Sequence, residues 1–120
     1  MEKLFQPSLL NKVIQLDNIV SLFYCDLNPN FKSFGETHNY WEFIYSDIGS
    51  VEIITETKTV ILEEGHIYFH APNEYHQHRS IKNLKASICN GAFYYEGNVL
   101  DKIADQPIFL TNSTKQYFFN

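Results

Sequence analysis

From Ile19 to Tyr95 the chain is a succession of short apolar and aromatic runs, about 8–12 residues apart, each closed by a turn signal. That spacing constrains the fold more than any other feature. Ile19–Leu27 is strand-like and ends at Asn28-Pro29-Asn30, and Trp41–Ile48 stops at Gly49-Ser50. Val51–Thr57 and Lys58–Leu62 read as a hairpin with Glu52, Glu56 and Lys58 toward water. After Glu63-Glu64-Gly65 come His66–Ala71, the Pro72-Asn73-Glu74 turn and a last long strand, Leu84–Tyr94. No helical periodicity intervenes, so the expected class is all-β, an antiparallel sandwich or barrel. A chain of 120 residues holds one such domain. Its ten Phe, eight Tyr and one Trp suit a pleated surface.

The flanks read differently. In residues 1–18, Leu9, Leu10, Val13, Ile14 and Leu16 mix with polar residues, which fits an N-terminal arm or a short helix. Residues 19–96 are the expected barrel. In residues 97–120, Val99, Leu100, Ile103 and Ala104 sit at helical spacing before Pro107. Ile108–Leu110 follows, and Thr111-Asn112-Ser113 then looks like a helix N-cap opening a linker or dimerisation helix. Tyr117-Phe118-Phe119 is an apolar ending with little to cover it, which suggests docking on the barrel or a chain that continues.

The formal net charge of −5 and the lack of a basic stripe argue against direct DNA or RNA binding. No apolar run approaches the ~20 residues that span a bilayer, and no charged-then-apolar leader opens the chain. A soluble, cytoplasmic protein is expected. Cys25 and Cys89 lie in apolar runs far apart, and two buried thiols are the expected state.

The chemistry is concentrated between Gly35 and His76. His38 and Glu42 share parity on an extended chain and so point to one side, while Trp41, Phe43 and Tyr45 take the other. A glutamate among large apolar neighbours must be paired, hydrogen-bonded or liganded. Closing the meander brings His76 near both. His66, Tyr68 and His70 share one face of their strand, and a polar face lining a pocket makes Tyr68 and His70 ligand contacts. His78 joins them if the strand after His76 runs on, although a surface position is the commoner fate of His78 and of His66.

Gly35-x2-His38-x3-Glu42-x6-Gly49 resembles the first motif of the cupin barrel from its second histidine onward, and Gly65-x6-Pro72-Asn73-Glu74-Tyr75-His76 resembles the second. The pattern is closer still to the N-terminal sensing domain of AraC-type transcription regulators. It shows the same His-x3-Glu-aromatic-Ile-Tyr strand, Gly-x-hydrophobic strand and Pro-x-Glu-x-His turn. Phe93, a short helix at Val99–Ala104, and Pro107 to Leu110-Thr111 then follow. The resemblance covers roughly Ile19 to Leu110.

It implies a cupin-like antiparallel β-barrel or jelly roll with short flanking helices, and a domain that senses an effector without catalysis. The effector, a sugar by default, would be contacted by His38, Glu42, Tyr68, His70, His76 and His78. Its binding would be coupled to homodimerisation, with DNA bound only through a C-terminal helix-turn-helix pair beyond Asn120. Two departures matter. The position two before His38, a histidine in metal-binding cupins, is Glu36, and the glycine of the Pro turn is Asn73, which tolerates left-handed angles.

The sensing reading expects no cofactor. Its alternative is a stand-alone metal-dependent cupin enzyme, an isomerase or dioxygenase. There His38, Glu42 and His76, with Glu36 as a possible fourth, would hold iron, manganese or zinc. Other catalytic routes find no motif: no Gly-x-Ser-x-Gly elbow, phosphate-binding glycine loop or Cys-x-x-Cys pair occurs.

Overall fold

The structure is a computed structural model and describes residues 18–110. The arm or helix expected before Asn18, the cap at Thr111-Asn112-Ser113 and the Tyr117-Phe118-Phe119 ending lie outside the described residues. Among the described residues, eight antiparallel strands form two sheets. The first sheet takes the order β1 (Asn18–Leu27), β7 (Ala86–Tyr94), β2 (Trp41–Ile48), β5 (His66–His70) and β8 (Ile108–Phe109). The second takes the order β4 (Thr59–Leu62), β3 (Val51–Thr55) and β6 (His76–Ser80). An extended segment after the Asn28 turn adds to the β6 edge through bridges at Lys32–Arg79 and Glu36–His76.

Alternation along β2 decides what lies inside. Ile44 joins Leu27, Val51, Ile53, Leu62, Tyr68 and Ile88 in an apolar cluster between the two sheets, which plugs one part of the hollow. Trp41, Phe43 and Tyr45 point the other way and pack with Ile67, Cys89 and Phe93 under Leu100 and Leu110. β2 is therefore covered on both faces, as a central strand should be. Gly91 has its reason here: a Cβ would meet the Phe43 ring at 2.2 Å.

Most strands fall where the sequence places them, and the differences have local causes. The β3–β4 hairpin is tighter than expected, because Thr55 Oγ1 accepts from the Lys58 amide and turns the chain at Glu56–Lys58. Glu52 is half-buried and paired with Arg79 rather than free in water. The short helix shrinks to one 3-10 turn, Leu100–Lys102, whose apolar residues still dock on the outer cluster. Asn73 adopts the left-handed backbone its position requires, with φ +68°. Both cysteines are free thiols, Cys89 buried and Cys25 half-buried. Among the described residues no helix is long and apolar enough to cross a membrane.

Candidate metal and ligand site

Beside the apolar plug the hollow turns polar. His38 precedes β2 and Glu42 lies within it. Pairing across the first sheet sets His70 beside Glu42, with Ala92 on the other flank and Ser21 beyond. The second sheet contributes His76 and His78 from β6, two residues apart and so on one face. Glu36 reaches the same place because its backbone exchanges two 3.1 Å hydrogen bonds with that of His76.

Glu36, His38, Glu42 and His76 each offer one ligand atom, and these atoms all lie within 4.8 Å of one another. His38 Nε2 is 3.0 Å from Glu42 Oε1 and 3.7 Å from Glu36 Oε1. His76 Nε2 stands 3.4 Å from both carboxylates, buried and without a hydrogen-bond partner. The second ring nitrogens are tethered. His38 Nδ1 donates to the Tyr40 carbonyl at 2.9 Å, and His76 Nδ1 donates to the Glu74 carbonyl at 3.0 Å. A carbonyl only accepts, so both Nδ1 atoms donate behind the rings and both Nε2 atoms face the two carboxylates, that of His38 within hydrogen-bond distance of Glu42 Oε1. Asn90 Nδ2 donates to Glu42 Oε2 at 3.1 Å, leaving Oε1 for the centre.

Four potential ligand atoms thus converge, and protons or a cation can hold them together. The surroundings of His76 favour its charged form. Burial lowers its pKa, but the Glu42 carboxylate, the Glu74 carbonyl and Glu36 outweigh burial and raise it. Burial likewise pushes Glu42 up, yet His76 and the Asn90 amide hold it at about 2. A divalent cation would satisfy the same four atoms. Two imidazoles with hydrogen-bonded outer nitrogens and two carboxylates are an established transition-metal donor set, and the side chains fit one.

A second polar group lies beside the first. Glu74 Oε1 accepts from His70 Nδ1 at 2.9 Å, and His70 Nε2 meets His78 Nε2 at 2.9 Å. His70 also stacks on His76, with centroids 4.3 Å apart. Burial pushes both His70 and His78 down to about 3, so both are neutral at ordinary pH. His78 is therefore not a surface residue: it is 6% exposed and faces inward. His66 does lie at the rim, against Phe109. Tyr68 belongs to the apolar plug, its buried hydroxyl unpartnered and its ring 4.9 Å from His70.

The structure adds three residues that sequence reasoning missed. Asn90 and Glu74 orient ligand-type side chains, and Tyr40 stacks flat on His38 at 4.0 Å. The period-2 pattern of β7 places Asn90 among inward apolar residues, and that was the available signal for it. Glu74 and Tyr40 act partly through backbone carbonyls, which leave no trace in side-chain spacing.

No known family profile matches the sequence, and no curated protein matches it. Solved structures do. A cupin domain of an XRE-family transcriptional regulator from Enterobacter cloacae superposes with a TM-score of 0.55 at 17% identity, covering 62% of this chain and 81% of that one. A cupin 2 conserved barrel domain protein from Rhodopseudomonas palustris gives 0.55 at 15% identity, covering 78% and 59%. The fold is that of the cupin barrels. A predicted oxalate decarboxylase from Thermotoga maritima is also similar, with a TM-score of 0.59 at 17% identity over 63% of this chain and 67% of that one. This chain spans less than two thirds of several of the chains it matches. The cluster of Glu36, His38, Glu42 and His76 lies on the face of β2 opposite the outer apolar cluster.

Proposed function

We propose that this cupin binds a divalent transition metal through Glu36, His38, Glu42 and His76, and through it a small molecule whose presence it senses. The observation that carries the reading is the convergence of two imidazole Nε2 atoms and two carboxylates, each imidazole fixed by a carbonyl behind it. When bound, the metal would serve as a Lewis acid that anchors an oxygen-bearing ligand. The chain's own residues do the rest. His38 and His76 present Nε2, Asn90 steers Glu42, and Ala92 and Ser21 are the small side chains beside Glu42 across the sheet.

The sensing role follows the resemblance to AraC-type regulators. A ligand held in the hollow would bias how the barrel presents itself to a partner copy or to a DNA-binding domain beyond Asn120, through differential contacts with the two states. The likeness to a regulator's cupin domain supports that reading. A metalloenzyme is the second reading, supported by the likeness to a predicted oxalate decarboxylase. A thermal-shift screen of metal-loaded protein against small molecules tests the first. Hits should raise the melting temperature and be lost in Glu42→Gln. Hits unaffected by Glu42→Gln would place the ligand elsewhere, and a hit consumed during incubation would favour the enzyme.

A further inference from the structure

We propose that Glu36 sets the charge of the loaded centre and thereby selects uncharged, oxygen-donating ligands against carboxylates. The proposal rests on the metal-binding reading and names the ligand class of that same site. The charge count is direct. A dication with two neutral imidazoles and two carboxylates is electrically neutral, whereas a histidine in place of Glu36 would leave one positive charge.

An incoming dicarboxylate would then bring two negative charges to a neutral centre. Among the described residues, no Lys or Arg pairs with Glu36 or Glu42. Arg79 is engaged with Glu52, and Lys58 donates to the Asp105 carbonyl in an outer hairpin contact. A further acidic group, Glu74, accepts from His70 and adds to the negative potential. Anions in a partly desolvated hollow need a countercharge, which this site spends on its own two glutamates. A neutral polyol needs none. It can replace metal-bound water with hydroxyl oxygens and stack on an exposed ring such as Tyr94, which packs against Tyr40 beside His38.

Glu36 is placed to do this without being needed for the fold. Its side chain is 56% exposed, while its backbone is pinned to His76 by two hydrogen bonds. Exchange of the side chain therefore alters charge at the centre and leaves the backbone where it is.

The test uses the whole chain, stripped with chelator and reloaded with Mn²⁺, in wild type, Glu36→His and Glu36→Gln. Mn²⁺ binding is measured first by calorimetry. Oxalate and xylitol are then titrated while the water-proton relaxation rate is followed, because displacement of metal-bound water lowers it. The expected result is that, with each protein saturated in Mn²⁺, the ratio of oxalate to xylitol affinity is at least tenfold higher in both variants than in wild type. An equal ratio in all three proteins would overturn the proposal and leave the metal site standing. Failure of both variants to take up Mn²⁺ even at saturating metal would also overturn it, since Glu36 would then be required for the site to form and not for its charge alone. Failure of the wild type to bind Mn²⁺ would sink the metal reading itself, and this proposal with it.

Discussion

Glu36 and His76 exchange both of their backbone hydrogen bonds, at 3.1 Å each, so the two motifs that carry the polar side chains are tied together by main chain before any side chain meets. The tie depends on its neighbours. Gly35 lies under Tyr75, where a Cβ would stand 1.9 Å from the Tyr75 hydroxyl oxygen. Gly35→Ala should therefore displace the Glu36 segment and weaken divalent-metal binding by about tenfold, with Gly35→Ala/Tyr75→Ala recovering most of it. Calorimetric titration of the two variants checks this, and unchanged affinity in Gly35→Ala would show that the segment does not position a ligand.

Asn90 acts through Glu42. Asn90→Leu removes the donor to Oε2 and leaves that oxygen buried and unmatched. Metal affinity should fall by about 10- to 100-fold while the circular dichroism spectrum stays that of the wild type. A variant with full affinity would mean that Glu42 is oriented by packing alone.

Acid should unfold the metal-free protein through His70 and His78. Their folded pKa values, near 3, lie below the ordinary histidine value of 6.5. Between those limits the unfolded chain binds more protons, so stability falls as pH drops from about 6.5 toward 3. His76 runs the other way, because its raised pKa gives a contribution that is full below 6.5 and fades as pH climbs through the folded value. Glu42, held at about 2, keeps its contribution above 4.5 and loses it only as pH falls toward 2. Urea midpoints measured between pH 7 and pH 4 should decline, and His78→Gln should flatten the decline. A midpoint rising toward acid would contradict the buried, neutral state of this pair.

Glu74 provides a contrast. Its side chain holds His70, and its carbonyl holds His76. Glu74→Ala should cost about 1–3 kcal/mol of stability through the lost charged hydrogen bond, yet leave metal affinity within threefold, because the carbonyl remains. Chemical denaturation and metal titration of the one variant separate the two roles.

Much of this was legible in the residues because alternation is a strong signal. The His38–Glu42 parity and the Trp41–Phe43–Tyr45 face fixed which side of β2 looks inward, and the structure places them so. The strand His76–Ser80 was harder. Its sequence, HQHRS, has no aliphatic or aromatic residue of the kind that marks strands, because its inward positions are histidines buried for polar contacts. His78 read as a surface residue for the same reason. The Val99–Ala104 helix failed differently: helical spacing was present, but Asp105 adopts a positive φ of 63° and its amide bonds the Phe69 carbonyl, which ends the segment after one turn. Tertiary docking onto the outer cluster, and not periodicity, set its length.

The most direct test is the metal content of chelator-stripped chain re-equilibrated with excess Mn²⁺ or Zn²⁺ and desalted, in wild type and in His76→Ala. One ion per wild-type chain and none in His76→Ala is the expected result, since that variant removes the Nε2 on which both carboxylates converge. Wild-type protein that retains no ion, or His76→Ala protein that retains a full equivalent, would contradict the account.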